Sequence, residues 1–304
     1  MKKKILIFIL IVIAGLLFFA GLIIGSVKDV AWCSAVCGLF VMPLLRQSYL
    51  KLQDLTDIQT WEVSLRKYLR GGVIKKSDYV RISFAYLFRI KVGDKYLLVF
   101  NHRKFGKYQP VGGVYKFSDN EKSYLKESFF VCDDDGIPVD KYSKNDYRLR
   151  VPVKYLKKFV ERFDFTTDRE RIDNIGREFK EELLEANILN RDNFKDIQYV
   201  VRGRYEGDLT YTKHFGIYEL LLADIVELVP TKEQEEELSL LQLKYSTAYL
   251  WASEDDIKTC GVKKGSEKQK ETITDHSFKI LEDTALELIA LPESGRKYDV
   301  SLYE

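Results

Sequence analysis

The chain has 304 residues and a formal net charge of +2, and 46% of its residues are hydrophobic and 31% charged. Its 18 glycines, 4 cysteines and 13% aromatic residues exclude collagen-like, disulfide-scaffold and wholly disordered proteins. The net positive charge comes from the first 50 residues, which carry five basic side chains and one acidic one. The other 254 residues carry 43 basic and 45 acidic side chains. This balance argues against a broad surface that binds a nucleic-acid polymer by neutralising its phosphates.

Two uncharged, apolar segments, residues 5–27 and 30–45, are separated only by Lys28 and Asp29. The first segment is long enough to cross a bilayer as a helix, whereas the second is short and would need local thinning or neighbouring helices. We expect a two-helix transmembrane hairpin within residues 1–50. The alternatives are a cleaved signal sequence, although the first apolar run exceeds the usual signal core, or one span with an interfacial segment.

Basic residues flank this hairpin on both sides. Lysines at positions 2–4 precede the first segment, and Arg46 and Lys51 follow the second. Because short basic loops stay in the cytoplasm, we expect a two-pass topology with both termini cytoplasmic. Gly21 and Gly25 form a small-residue pair that lets helices approach closely, either within one hairpin or between hairpins of a homo-oligomer.

Apolar side chains recur at three- and four-residue steps over residues 52–69 and end at Gly71 and Gly72. This period predicts an amphipathic helix with a glycine stop inside a connector at residues 51–79. Three roles are open for such a helix. It would transmit a change from the following domain to the membrane, join several chains, or lie on its own domain.

From residue 80 onward, strand-like and helical patterns alternate. They predict an α/β or α+β domain over residues 80–290 and a C-terminal tail over residues 291–304. The expected strands are residues 80–90, 96–100, 197–201 and 215–222. The expected helices are residues 155–163, 177–187 and 278–288.

The helix at residues 177–187 opens with the acidic sequence R-E-F-K-E-E. At about 100° per residue, the four glutamates at positions 178, 181, 182 and 185 share one face. Converging carboxylates suit a hard cation such as Mg²⁺, which bridges to substrate phosphates. Taken alone, a glutamate-rich helix is more often a solvated surface.

Several segments occur in an order that resembles the Nudix domain. They are residues 96–103, the glycine turn at residues 108–115, the R-E-F-K-E-E helix, and residues 214–220, 249–257 and 276–279. The resemblance implies a mixed sheet sandwiched by helices. It also implies nucleotide binding at Gly112, Gly113 and Arg177, and binding of a metal, with Mg²⁺ as the expected cofactor, at Glu178, Glu181 and Glu182.

The chain departs from the Nudix signature in four ways, two of which are Leu184 in place of the second signature glycine and Glu185 in place of the final aliphatic residue. Gly113 lies 64 residues before Arg177, which implies an insertion at about residues 117–167. Arg169 occupies the place of a separate upstream glutamate, and Glu170 stands one residue out of register. Since general acid–base chemistry needs a carboxyl group within hydrogen-bond reach, nucleotide binding is favoured over hydrolysis, and no catalytic residue is assigned.

The insertion has two interpretations. It is a lid whose lysines Lys154, Lys157 and Lys158 reach ligand phosphates, or it is a surface decoration without ligand contact. Its D-D-D-G run at residues 133–136 lacks the spacing of a calcium-binding loop.

Two membrane helices followed by a diverged Nudix domain resemble the SMODS-associated NUDIX effectors of bacterial CBASS, the cyclic oligonucleotide antiphage signalling system. The resemblance implies an antiviral defence protein of the cell inner membrane. Its partners would be a cyclic nucleotide second messenger and the lipid bilayer, which it would disrupt to cause abortive infection. The alternatives are a membrane-anchored, metal-dependent Nudix hydrolase of a nucleoside diphosphate derivative and a membrane-tethered adaptor that binds a protein.

Overall fold

The computed structural model describes residues 2–28, 31–56, 60–101, 106–134, 143–262, 271–282 and 288–303. They form two compact units that divide between Lys67 and Tyr68. The first unit contains the N-terminal helices, and the second contains the β-sheets.

The first unit begins with two long helices, α1 (Lys2–Val27) and α2 (Ala31–Thr56). They pack antiparallel: Cys37 lies against Gly21, and the rings of Phe18 and Phe40 have centroids 5.1 Å apart. Within the described residues, one stretch, Phe8–Val27, is long and apolar enough to cross a membrane. Its length and composition, close to the N-terminus, also fit a signal sequence.

Helix α2 differs from the expected second span. It contains Pro43 and continues past residue 45 to Thr56, so it carries the charges of Arg46, Lys51 and Asp54. The predicted connector is divided between the end of α2 and a separate helix, α3 (Thr60–Arg70). Residues 57–59 lie outside the described part of the chain. Helix α3 ends immediately before Gly71 and Gly72, as the glycine stop predicts.

The second unit is an α/β structure with two sheets. Its strands are β1 (Tyr79–Arg89), β2 (Lys91–Val92), β3 (Lys95–Asn101), β4 (Lys107–Pro110), β5 (Gly112–Val114), β6 (Cys132–Asp133), β7 (Arg148–Pro152), β8 (Asp196–Glu206), β9 (Thr210–Thr212), β10 (Ile217–Leu228), β11 (Tyr249–Ser253), β12 (Leu288–Ile289) and β13 (Lys297–Ser301). Its helices are α4 (Asp119–Phe129), α5 (Leu156–Phe165), α6 (Arg177–Phe179, which continues as a π-helix over Lys180–Glu185), α7 (Lys232–Gln242) and α8 (Glu254–Lys258). The four expected strands are therefore confirmed, although β8 and β10 are longer than predicted.

The larger sheet has the order β12-β8-β10-β1-β7-β6. It is mixed, because β1 and β10 run parallel while the neighbouring pairs are antiparallel. The smaller sheet has the order β11-β3-β2, and β4 also pairs with β3. Between the sheets lies an apolar cluster that includes Leu87, Leu98 and Ile225. Burial of this kind stabilises the fold by roughly 25 cal/mol per Å² of apolar surface.

Strand β1 organises the second unit, because two strands pair with it on one edge. Its last part pairs with β5, with Tyr86 opposite Gly113, and its first part pairs with β7, with Tyr79 opposite Pro152. Tyr86 lies seven residue steps along the strand from Tyr79, or about 23 Å. The glycine turn and the insertion therefore meet β1 at different ends.

The insertion is built into the domain. It contains α4, β6, β7 and α5, and β7 is a strand of the larger sheet, so the interpretation as a surface decoration is wrong. The carboxylate of Glu121 on α4 is fully buried and accepts hydrogen bonds from Tyr147, Arg162 and Thr166. From Asp135 onward, the D-D-D-G run lies outside the described residues.

The C-terminal region differs from its prediction. Residues 297–301, expected in a tail, form β13, which pairs antiparallel with β8. The expected helix at residues 278–288 is also wrong: Asp275–Ile280 is a 3₁₀ helix, Leu281 is extended, and Leu288 begins β12. Residues 283–287 lie outside the described part. Edge strands as short as β12 and β13 carry too few residues to show a clear alternation in the sequence.

Candidate functional site

The site forms where helix α6 begins against strand β5. Arg177, the first residue of α6, donates a hydrogen bond from Nη2 to the carbonyl oxygen of Val114 at 3.0 Å. Its Nη1 donates to the carboxylate of Glu178. Arg177 therefore fixes the start of the acidic helix to the glycine strand, and the structure brings together the predicted residues Gly113, Arg177 and Glu178.

The two glycines are required by close approach. A Cβ atom at Gly113 would lie 2.1 Å from Oε1 of Glu178. A Cβ atom at Gly112 would lie 2.2 Å from the carbonyl oxygen of Tyr86, and its φ of +154° is one that other residues rarely adopt. A side chain at Gly112 would clash with the backbone of β1, and one at Gly113 would displace the Glu178 side chain, which explains the Gly-Gly pair in physical terms.

Glu182 faces the same backbone turn. Its Oε2 accepts a hydrogen bond from the backbone N–H of Gly112 at 3.1 Å, and its Oε1 lies 3.4 Å from the amide nitrogen of Gln109. Burial raises the pKa of Glu182 to about 8, and the negative charge of Glu178 adds to the effect. At neutral pH, Glu182 is therefore mostly protonated, so the site is less acidic than its sequence indicates.

Glu170 is a residue of the site that the signature spacing did not predict. Its carboxylate accepts hydrogen bonds from the backbone N–H of Lys116 at 3.2 Å and from the hydroxyl of Tyr86 at 3.4 Å. Arg177 Nε lies 3.5 Å from its Oε1. Burial raises the pKa of Glu170 in spite of the neighbouring guanidinium. Glu170 thus lies in the site, although the signature spacing excludes it.

Arg169, which occupies the signature glutamate position, points elsewhere. Its Nε donates to the carbonyl oxygen of Phe163 at 2.7 Å, and its guanidinium lies 3.9 Å from the centre of the Phe163 ring. Backbone pairing of Arg169 with Phe117 brings the two ends of the insertion together beside the site. This pairing places Glu170 in the site, and the spacing along the chain does not reveal it.

The π-helical form of Lys180–Glu185 changes the predicted acidic face. A π-helix has i→i+5 hydrogen bonds, so its residues turn through a smaller angle than the α-helical spacing assumes. Glu178, Glu181 and Glu182 are half-buried, whereas Glu185 is exposed. Short π-helical segments are rare and frequently occur at functional sites. The three predicted glutamates therefore remain on the site side, and Glu185 does not.

A metal site is not assembled by these glutamates as they stand. Within the described residues, no group of three or more His, Cys, Asp or Glu side chains is placed to hold a metal ion. Glu178 is engaged by Arg177, and Glu182 by the Gly112 backbone. Carboxylate oxygens suit Mg²⁺ chemically, but both contacts would have to be exchanged for the ion.

Lys154 of the insertion lies away from this site. Lys154 follows Pro152, which is opposite Tyr79, while Gly113 is opposite Tyr86. The separation of about 23 Å along β1 is more than twice the length of an extended lysine side chain. Lys154 therefore does not contact Gly113 directly, and a role of Lys154, Lys157 and Lys158 as phosphate-binding lid residues stays a prediction.

Charging Glu182 should destabilise the fold at alkaline pH. Because its pKa is raised in the folded protein, its stabilising effect is complete below about pH 4.5 and is lost as the pH rises through about 8. Glu182→Gln should leave the melting temperature nearly unchanged at pH 5 and raise it by roughly 2–4 °C at pH 9. Thermal unfolding of the full-length protein at both pH values tests this. The exposed Glu185→Gln is the control, and equal shifts at both pH values would contradict the assignment.

Comparison with known protein families identifies the domain that contains this site. A family model described as the SMODS-associated NUDIX domain matches residues 79–281, about two thirds of the chain. The chain belongs to the SMODS-associated NUDIX family. Searches of curated proteins and of solved structures find no significant match.

The matched SMODS-associated NUDIX segment begins and ends close to the boundaries of secondary-structure elements. It begins at Tyr79, the first residue of β1, and ends at Leu281, one residue after the 3₁₀ helix. The insertion lies inside it, as does every residue predicted for the site. The second unit is thus a Nudix domain with a mixed sheet and helices, and its family fits an effector of CBASS type.

Proposed function

We propose that this chain is the membrane effector of a bacterial CBASS antiphage system. Its Nudix domain senses a cyclic nucleotide, and its N-terminal helices then disrupt the inner membrane and cause abortive infection. The observation that carries the proposal is the presence, in one chain, of a SMODS-associated NUDIX domain and an apolar helix of membrane-spanning length.

The N-terminal helices insert as a two-pass hairpin with both termini in the cytoplasm. Three observations support this: the antiparallel packing of α1 on α2, the candidate span Phe8–Val27, and the basic residues on both flanks. Helix α2 carries Arg46 and Lys51 in its second half, so its apolar part is short for a full crossing. Assembly into a homo-oligomer would cover such a short span with neighbouring helices.

The nucleotide is bound and not cleaved. Gly112 and Gly113 give a ligand close access to backbone, and Arg177 offsets the charges of Glu170 and Glu178. A protonated Glu182 repels a phosphate less than a carboxylate does. Hydrolysis would need an ionised carboxylate that is available to order water. In this chain, Glu178 and Glu170 are both engaged by Arg177.

Mg²⁺ is proposed as an accessory ion and not as a requirement for folding. Glu178, Glu181 and Glu182 would hold it once Glu182 loses its proton and Glu178 is released from Arg177, and the ion would supply positive charge toward the ligand phosphates. Calorimetric titration with Mg²⁺ tests this. Binding that is lost in Glu181→Gln but kept in Glu185→Gln is the expected result.

Ligand binding tests the sensor directly. Titration of the full-length protein in detergent with a panel of cyclic di- and trinucleotides should identify a ligand that chromatography recovers intact. Gly113→Ala should weaken that binding by about tenfold or more, because its Cβ displaces Glu178. Gly207→Ala is the matched control, since its Cβ would meet neighbouring atoms at ordinary contact distances of 3.6 and 3.8 Å. Absence of binding by every cyclic nucleotide would contradict the proposal.

A membrane-anchored Nudix hydrolase is the second candidate, and the carboxylates of Glu170, Glu178, Glu181 and Glu182 favour it. It requires release of phosphate or nucleotide from a nucleoside diphosphate derivative with Mg²⁺ or Mn²⁺. Glu181→Gln should abolish the release, and a chain that begins at residue 51 should retain it. Lack of turnover across a nucleotide panel would exclude this candidate, and lack of any nucleotide binding would favour the protein-binding adaptor.

A further inference from the structure

Exposed aromatic and basic side chains gather at one end of the Nudix unit. Phe130 and Tyr155 stack with ring centroids 5.7 Å apart, and Lys154 Nζ lies 4.6 Å from the centre of the Tyr155 ring. The Tyr79 hydroxyl donates to the carbonyl oxygen of Phe130 at 3.3 Å. These four residues are called the aromatic–basic patch. Phe130 is 55% exposed and Tyr79 is 39% exposed.

The patch lies where the polypeptide enters the unit from the N-terminal helices. The backbone N–H of Lys154 donates to the carbonyl oxygen of Lys76 at 3.0 Å, and that of Val153 to Asp78 at 2.8 Å. These bonds fix the entering segment beside the patch. The segment thereby adds the exposed Lys75 and Lys76 to it.

Phe130 has a backbone conformation that indicates a function. It follows helix α4 with φ of +55°, the left-handed region in which glycine usually ends a helix. A bulky side chain at positive φ reduces stability, and 55% of Phe130 is exposed although its ring stacks on Tyr155. Strained residues cluster at functional sites, so the exposed part of this ring is a candidate binding contact.

The charge around the patch is positive. Lys157 and Lys158 lie in the first turn of α5, three and four residues after Lys154, and both are exposed. The exposed acidic neighbours are fewer. Asp78 accepts from the backbone of Lys75, Asp133 pairs with Lys126 at 3.6 Å, and Glu161 lies one turn further along α5.

We propose that the aromatic–basic patch docks the Nudix unit on anionic phospholipid headgroups. Aromatic rings with one polar end occupy the interface of a bilayer, and clustered lysines are attracted to anionic lipid. The occupant is the membrane because the patch combines aromatic rings with lysines and belongs to the same chain as the candidate span Phe8–Val27. Docking is independent of the nucleotide site, about 23 Å away along β1.

Hydrogen exchange of the full-length protein in lipid nanodiscs tests the proposal. One set of discs contains zwitterionic phosphatidylcholine alone, and the other contains equal parts of phosphatidylcholine and phosphatidylglycerol. Backbone amides of residues 128–133 and 153–158 should exchange about fivefold more slowly in the anionic discs. Equal exchange in the two lipids would overturn the proposal. Protection that follows the number of chains per disc, and not the lipid, would assign the patch to contacts between copies and would also overturn it.

Two variants make the test specific. Phe130→Gly removes the ring and relieves the left-handed strain, so it should abolish the protection while the melting temperature stays the same or rises. Phe165→Ala is its control, since it removes a phenylalanine that is 85% exposed elsewhere on α5. Lys154→Glu with Lys158→Glu should also abolish the protection.

The control for the charge reversal is Lys195→Glu with Lys232→Glu. Lys195 precedes β8 and Lys232 follows β10, and β8 begins opposite the end of β10, far from Tyr79. Loss of protection in both double variants, or in neither, would contradict docking through the patch.

Discussion

Replacement of Glu121 by alanine should lower the free energy of unfolding by about 3–4 kcal/mol, the range expected when one partner of a buried ion pair is removed. The carboxylate is fully buried and accepts from Arg162 Nε at 3.0 Å, Tyr147 at 3.0 Å and Thr166 at 3.1 Å. Without it, the buried Tyr147 and Thr166 hydroxyls would lose their acceptor. Denaturant unfolding of the full-length protein measures the change.

Two further variants separate the causes of this loss. Glu121→Gln keeps an acceptor but removes the charge, so it should lose about half as much as alanine. Glu127→Ala removes an exposed carboxylate from the same helix and should change stability by no more than about 0.5 kcal/mol. If Glu121→Ala were as mild as Glu127→Ala, the insertion would not be fixed to the domain through this residue.

The second large effect concerns Arg177. Its guanidinium balances Glu170 and Glu178 and donates to the Val114 carbonyl, so Arg177→Met leaves two carboxylates without their partner. Because the Arg177 side chain is 28% exposed, the loss should be about 2–3 kcal/mol, below that of a fully buried pair. The loss should be smaller at pH 5 than at pH 8, since burial already raises the pKa of Glu170 and protonation removes its charge.

A double variant tests the Arg177 assignment. Arg177→Met with Glu170→Gln should recover part of the lost stability at pH 8, because only one carboxylate is then unpaired. Arg171→Met, which breaks an exposed pair with Asp173, should cost less than about 1 kcal/mol. No recovery in the double variant would show that Arg177 acts through the Val114 carbonyl and not through Glu170.

The sequence predicted those features that depend on short-range patterns. The apolar run of β1, the turn at Gly112 and Gly113, and the helix start at Arg177 are all local, and the structure confirms each of them. Alternation of strands and helices was enough to predict an α/β domain, and the ordered motifs were enough to indicate the Nudix family.

Features that depend on distant parts of the chain were not predictable. Glu170 enters the site because Arg169 pairs with Phe117, more than 50 residues earlier. The raised pKa of Glu182 depends on burial and on the nearby charge of Glu178, and the π-helical turn changes the spacing assumed for the acidic face. The distance between Lys154 and Gly113 is set by the register of β5 and β7 on β1, and the sequence does not show that register.

Dye release from vesicles tests whether a bound cyclic nucleotide makes this protein disrupt a membrane. The full-length protein is reconstituted into sealed vesicles that contain a fluorescent dye, with the Nudix unit facing outward, and a cyclic nucleotide that binds it is added outside. We expect release that depends on the ligand, is weakened in Gly113→Ala and unchanged in Gly207→Ala, and leaves the nucleotide intact. Vesicles that stay sealed at saturating ligand would contradict it.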